Sequence, residues 1–285
     1  MTGASVREAL EASVDALQAV GVDEPRLDAE LLLGEAMGCE RSALIADGGA
    51  EVPASAGRRF GEMVRRRLRR EPVAYILGRK GFRNLELAVD RGVLIPRPET
   101  ELLVELALEL RPASVLDVGT GSGAIALAVA DELPACEATA TDTSPGALEV
   151  ARANAERLGL ADRVEFLEGT LPDDREFDLV LANLPYVAER DWPSLQPEVT
   201  QWEPREALLA GPDGLDAYRA LIPGCAGHLH RYAEQKTGAL AVEVGEGQAE
   251  AVGALMREVG FERIETRRDL AGIERVVIGW TGAVA

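Results

Sequence analysis

Val115-Leu116-Asp117-Val118-Gly119-Thr120-Gly121-Ser122-Gly123-Ala124 decides how the rest of this 285-residue chain is read. A short apolar strand runs into three glycines at alternate positions, and an apolar helical stretch follows over 123–132. Glycine lets a backbone turn sharply and lets a ligand come close, because no Cβ stands in the way. A helix that starts there points its unpaired N–H groups and the positive end of its dipole at the turn. The pattern predicts a strand–turn–helix that cradles a ligand, although a tight turn without one would use the same glycines.

Two cofactor patterns fit. Gly119, Gly121 and Ala124 match the dinucleotide form GxGxx[GA], and Gly119, Gly121 and Gly123 match the GxGxG of S-adenosylmethionine enzymes. Thr120 lies inside either turn. Asp142 ends the next strand, 23 residues after Gly119, where a carboxylate can accept both ribose hydroxyls of an adenosine. Its plainer role would be to cap the helix over 145–158, a job that Thr143 or Ser144 could also fill. Asp117 is expected to orient the turn and to face the amino-acid end of a cofactor, unless it is only a solvated strand-end carboxylate.

Outward from this turn, apolar runs alternate with helical periods. Strands are expected at 114–118, 137–142, 163–168, 177–182 and 239–244, with helices at 99–110, 123–132, 145–158, 214–230 and 246–259. Such βα alternation implies an α/β fold with a mainly parallel sheet covered on both faces. Strands 261–267 and 273–280 have no helix between them and should pair antiparallel. Before residue 75 the chain reads as helical. Val6, Leu10, Val14 and Leu17 recur at helical spacing, a second helix starts near Pro25 and stops at Gly38, and a third covers about 54–70. That third helix carries seven arginines from Arg58 to Arg70, a run whose plainest reading is a solvated face. Between the two parts, Leu85, Leu87 and Val89 alternate with polar neighbours before Arg91-Gly92, as in a hairpin or linker. The expected organisation is a helical domain over 1–75, a hairpin linker over 76–98 and an α/β domain over 99–285.

The charge is uneven. The chain carries 30 Lys+Arg against 49 Asp+Glu, a formal net charge of −19. Residues 1–79 hold 11 basic and 13 acidic groups, whereas 80–285 hold 19 and 36. That balance argues against wholesale binding of nucleic-acid phosphates. Three scattered cysteines without a CxxC read as reduced thiols. The acidic N-terminal segment lacks the apolar run of a signal peptide, and apolar stretches such as 125–130 are too short to span a bilayer. A cytoplasmic protein without membrane attachment is expected.

Asn183-Leu184-Pro185-Tyr186 follows the strand 177–182, at the carboxyl edge where open α/β sheets bind ligands. The Asn183 side-chain oxygen and the Leu184 main-chain carbonyl are two acceptors suited to one planar NH2 group. Tyr186 would supply a flat wall beside it. An Asn-x-Pro turn with a core tyrosine is the plainer alternative.

With these residues the chain resembles the release-factor glutamine methyltransferase family, also called the HemK family. Glu71-Pro72-Val73-Ala74-Tyr75-Ile76-Leu77-Gly78 is similar to its P-x-x-Y-I-x-G segment. Leu94-Ile95-Pro96-Arg97-Pro98-Glu99-Thr100-Glu101 is similar to its LIPRPETE signature. Glu203-Pro204, Ala207-Leu208, Gly211 and Asp213-Gly214-Leu215 resemble its EP…AL…G-x-DGL block, and Asp269 to Arg275 resemble its closing DL-x-G-x-x-R block. The resemblance implies an N-terminal helical domain on a class I, Rossmann-like methyltransferase domain with a seven-stranded sheet, and the helical domain, with its Arg58–Arg70 helix, is expected to read the protein substrate. It implies transfer of methyl from S-adenosylmethionine, leaving S-adenosylhomocysteine, to the side-chain amide of the glutamine in the GGQ loop of peptide-chain release factors. On this reading Asn183, Pro185 and Tyr186 are catalytic. Asp117, Gly119, Thr120, Gly121, Gly123, Asp142, Thr170 and Asn183 hold the cofactor. Asn183 to Tyr186 and Arg97 meet the substrate. The family tetrapeptide is NPPY. Because the expected contact of Leu184 is its carbonyl, its presence should cost rigidity more than chemistry. Thr170 stands near a usually acidic adenine-holding position, so Thr170 or a backbone amide takes that place.

The same tetrapeptide serves adenine-N6 methyltransferases on flipped bases, and the acidity of 80–285 speaks against that alternative. A dehydrogenase would leave Asn183–Tyr186 without a role, and a non-catalytic adaptor would leave both motifs without one. His228 and His230 form an HxH pair with no third ligand in view, so no metal is expected. Direct nucleic-acid binding is not expected, and a monomer is.

Overall fold

The computed structural model describes residues 4–173, 175–229 and 238–282. In chain order the first elements are α1 (Val6–Ala19), α2 (Pro25–Met37), α3 (Arg41–Ala46), α4 (Ala54–Arg67), α5 (Val73–Leu77), β1 (Arg79–Phe82) and β2 (Leu85–Ala88). Then come α6 (Glu101–Leu110), β3 (Ser114–Val118), α7 (Ala124–Glu132), β4 (Glu137–Asp142), α8 (Pro145–Leu158), β5 (Val164–Glu168) and β6 (Leu179–Ala182). The chain continues with α9 (Pro197–Trp202), α10 (Asp216–Cys225), β7 (Ala239–Glu243), α11 (Ala249–Glu258), β8 (Arg263–Arg268) and β9 (Glu274–Trp280). Two units emerge: Met1–Arg79 with Gln196–Trp202, and Lys80–Leu195 with Glu203–Ala285.

The first unit is helical. Ser5 opens α1 with a capping box, in which its hydroxyl accepts the Glu8 N–H and its own N–H donates to the Glu8 carboxylate at 2.8 Å. Gly38 ends α2 at φ +66°. Val6, Leu10 and Leu17, from the stripe read in the sequence, meet Leu32, Leu33, Phe60 and Val64 in one core. The short α3 and α5 have no counterpart in the sequence reading, because a single turn is too brief to show a period.

The arginine run divides into two faces. Arg58, Arg65 and Arg69 are exposed, as a solvated face requires. Arg66, Arg67 and Arg70 are not. Arg66 pairs with Glu71 at 2.7 Å. Arg67, only 6% exposed, pairs with Asp28 and with Glu198 at 2.6 Å each. Arg70 also pairs with Glu198, and its guanidinium reaches the carbonyls of Val20 and Gly21. The reading of the whole run as solvated is corrected here: Glu198, the second residue of α9, lies 128 residues along the chain from Arg70, and local charge patterning cannot register it.

In the second unit the sheet order is β5-β4-β3-β6-β7-β9-β8. The strands from β5 to β7 are parallel, and β9 runs antiparallel to both β7 and β8. The last two strands pair antiparallel as the missing helix required, and β9 inserts itself next to β7. Both faces of the central strands are buried. Val115, Leu179, Leu181, Ala241 and Ile278 belong to one apolar cluster with α6 and α7, whereas Leu116, Val180, Ala182, Val242 and Val277 belong to another with α10 and α11. This strict period of two is the pleat of strands covered on both sides. No helix of the described residues is long and apolar enough to cross a membrane.

Candidate active site

The chain builds β3, β4 and β5 outward in one direction and then returns to lay β6 on the other side of β3. The connections leaving β3 and β6 therefore diverge, and a crevice opens at their carboxyl ends. The glycine turn leaves β3 and Asn183–Tyr186 leave β6 at this point. Gly119 and Thr120 both donate their N–H to the Thr141 carbonyl at 2.9 Å, which ties the turn to the end of β4. Gly119 has φ +75°, and a Cβ there would stand 3.5 Å from Cδ2 of Leu184. The two motifs thus touch, with the Leu184 side chain against the glycine. At Gly121, φ +56°, a Cβ would meet nothing within 4 Å, so the turn is open to the crevice.

Asp117 is fully buried beneath this turn. Its Oδ2 accepts from the Thr120 hydroxyl at 2.6 Å and from the Ala126 N–H at 3.2 Å, while Oδ1 is buried without a partner. Burial pushes its carboxyl up to about 7 against those two bonds, with Asp142 adding to the rise. Asp142 accepts the N–H of Gly121 at 2.9 Å and of Ser144 at 2.8 Å. Ser144 itself caps α8 through the Ala147 N–H, which leaves Asp142 aimed at the glycine turn. Gly123, φ +84°, is the N-cap of α7. Thr170 is exposed, and its carbonyl accepts the Thr141 hydroxyl at 2.8 Å. Beside it lies a hollow of about 370 Å3 whose lining includes Thr141, Glu168, Gly169 and Leu171.

Asn183 to Tyr186 are half-buried. Nδ2 of Asn183 donates to Oγ1 of Thr100 at 2.9 Å. Among the described residues nothing donates to Oδ1 of Asn183 or to the Leu184 carbonyl. Tyr186 is held from behind. Its carbonyl accepts Nε2 of Gln248 at 2.9 Å, and a Cβ on Gly214, φ +78°, would collide with that carbonyl. Val187 then pairs with the Leu208 and Ala210 main chain. Burial raises the Tyr186 phenol to about 12, helped by Glu243, so it stays a neutral wall. The Arg97 guanidinium is joined to Glu203, whose other oxygen accepts the Ile95 N–H at 3.2 Å.

The crevice thus unites Asp117, the glycine turn, Asp142 and Asn183–Tyr186. Thr100 and Glu243 join it without having been given a role by sequence. Thr100 was visible inside the LIPRPETE stretch, whereas Glu243 reads as any strand-end carboxylate. His228 sets its two ring nitrogens 2.9 and 3.0 Å from the carbonyls of Gly224 and Pro172, and His230 lies outside the described residues. Among the described residues no cluster of three metal-ligating side chains occurs.

Residues 8–78 match the PrmC N-terminal domain, and residues 115–202 match a family described as methyltransferase domain. A release factor glutamine methyltransferase of Caulobacter vibrioides is 42% identical over 95% of both chains. That of Geobacter sulfurreducens is 41% identical over 98% of this chain and 97% of its own. That of Moorella thermoacetica is 44% identical over 97% and 98%. Among solved structures, a methyltransferase from Pyrococcus furiosus superposes with a TM-score of 0.52 at 18% identity, over 70% of this chain and 90% of its own. The hMettl16 catalytic domain gives 0.56 at 14% identity, over 69% and 76%. At such identity these two carry the fold, a class I methyltransferase sheet.

Proposed function

The chain belongs to the release factor glutamine methyltransferase family, and from that premise we propose that it methylates the side-chain amide nitrogen of the GGQ glutamine in peptide-chain release factors. The observation that carries this reading is a pair of acceptors to which nothing among the described residues donates, Oδ1 of Asn183 and the Leu184 carbonyl, beside the open glycine turn.

The residues fit S-adenosylmethionine. The open backbone at Gly121, the Asp142 carboxylate at the strand end and the buried, unpartnered Oδ1 of Asp117 suit a ligand with a ribose and a cationic amino-acid end. The hollow past Thr170 suits the adenine. When bound, this cofactor supplies a methyl group already activated by a positive sulfur. What remains for the protein is to position the nucleophile and to make it stronger.

A carboxamide nitrogen is a weak nucleophile because its lone pair is delocalised into the carbonyl. Oδ1 of Asn183 and the Leu184 carbonyl each accept one of its N–H groups, which fixes the amide plane. Both acceptors gain as the nitrogen becomes positive, so they favour the transition state over the ground state. Tyr186, neutral across the working range, bounds the plane and excludes water. Transfer would form the N–C bond as the methyl–sulfur bond breaks, and the proton would pass from the nitrogen to solvent.

The test is incubation of the protein with labelled S-adenosylmethionine and a purified release factor, followed by mass mapping. One methyl group on the GGQ glutamine is expected. Label on nucleic acid in place of the factor would overturn the reading.

A further inference from the structure

The Thr100 hydroxyl both donates and accepts. Its oxygen accepts Nδ2 of Asn183 at 2.9 Å, and its proton goes to Oε2 of Glu243 at 2.6 Å. We propose that Thr100 and Glu243 are positioning residues for methyl transfer, which lock the Asn183 carboxamide with its oxygen toward the substrate. The inference rests on the amide-holding role of Asn183 given above.

The two ends of a carboxamide are nearly the same in shape, and only their hydrogen-bond partners distinguish them. Rotated by half a turn, Asn183 would present an NH2 group to the substrate NH2 group, donor against donor. A hydroxyl alone does not prevent that rotation, since it can donate as readily as accept. Glu243 removes the choice. An ionised carboxylate only accepts, so the single Thr100 proton is committed to it and the lone pair of Oγ1 is left facing Asn183. Only the N–H end of the carboxamide satisfies that lone pair. The fold makes the arrangement rigid: Thr100 is 3% exposed at the entry to α6, and Glu243 is 2% exposed as the last residue of β7. The Glu243 main chain is held independently, because its carbonyl accepts the Tyr218 hydroxyl at 2.7 Å. A buried carboxylate is costly, and no arginine forms a direct ion pair with this one among the described residues.

Five charged or titratable groups face Glu243. Glu99 approaches from the turn before α6, Arg97 from the segment leading into it, Arg275 from β9, Tyr186 from the loop after β6 and Tyr218 from α10. Arg97 is engaged by Glu203 and Arg275 by Asp269. Burial dominates and pushes the Glu243 carboxyl up to about 7, against the Thr100 bond and the two arginines and with Glu99. A protonated Glu243 can donate to Oγ1 of Thr100, which frees the Thr100 proton to meet the oxygen of Asn183. The lock is therefore present when Glu243 is ionised and is lost as pH falls through about 7.

Thr100→Val, Thr100→Ser and Glu243→Gln, assayed with release factor, test the lock. Thr100→Val should lower kcat on the order of 10- to 100-fold, while KM for the factor and the Kd for S-adenosylmethionine stay within about 2-fold. Thr100→Ser should restore most of the rate. Wild type should show an acid limb near pH 7 in kcat, and Glu243→Gln should be slower and lack that limb. A Thr100→Val enzyme as fast as an active wild type, or a serine variant as slow as the valine one, would overturn the inference alone. An acid limb that persists in Glu243→Gln would do the same, since it would then belong to Asp117. A wild type that leaves the factor unmethylated would overturn it together with the functional reading.

Discussion

On the proposed reading, the second position of Asn183-Leu184-Pro185-Tyr186 meets the substrate through its main-chain carbonyl, so its side chain can serve elsewhere. In this protein it lies against Gly119, where a Cβ would stand 3.5 Å from its Cδ2, an ordinary packing distance. Asn183 and Asp142 sit on opposite sides of the same crevice and should fail differently. Asn183→Ala is expected to keep cofactor affinity and to lose turnover on the order of 100-fold or more, as for a lost orienting group. Asp142→Ala is expected to weaken cofactor binding first. Calorimetry with S-adenosylmethionine beside steady-state rates separates the two, and equal losses of affinity would contradict the division of roles. The glycine turn and the tetrapeptide were legible because each is contiguous and lies at a strand end. Thr100 and Glu243 were not, since 143 residues separate them and nothing local marks either as the partner of an amide.

Among elements, the central strands β3, β6, β7 and β9 were the most legible, because burial on both faces makes each a largely apolar run. The helix α9 was the least. It has six residues, and its place is decided by one carboxylate, Glu198, between Arg67 and Arg70. Burial works to raise the Glu198 carboxyl, but its hydrogen bonds to Arg70 and Arg67 prevail and hold it below the usual range. Asp28 shares Arg67 and goes the other way, because burial prevails there. Glu198→Gln should therefore destabilise the helical unit by about 3 kcal/mol at neutral pH, the low end for breaking a buried pair. A carboxyl lowered in the folded state stabilises above its unfolded pKa and loses that effect as pH falls through its native one. The gap between wild type and variant, read from denaturation midpoints, should be constant near neutrality and close as the solution is acidified below the ordinary glutamate range. No gap at neutral pH, or one that fails to close in acid, would contradict the role given to the pair.

At the scale of the molecule, the net charge of −19 resides almost wholly in residues 80–285, which hold 36 acidic and 19 basic groups. Among the seven arginines from Arg58 to Arg70, Arg66, Arg67 and Arg70 are already engaged by carboxylates of the chain. Neither a duplex nor a single-stranded oligonucleotide should bind more tightly than about 1 μM at ~150 mM salt, and a filter-binding or polarisation titration checks this. A steep loss of tighter binding on raising the salt would point back to a nucleic-acid substrate. The excursion of residues 196–202 has its own consequence for this protein as a set of exchangeable parts. A cassette cut at Arg79 would carry Arg67 and Arg70 away from their carboxylate, and the remaining chain would keep a carboxylate bred for arginines it no longer has. Swapping the helical unit between relatives should therefore succeed only when the α9 segment, which lies far along the chain between β6 and β7, is transplanted with the N-terminal helices.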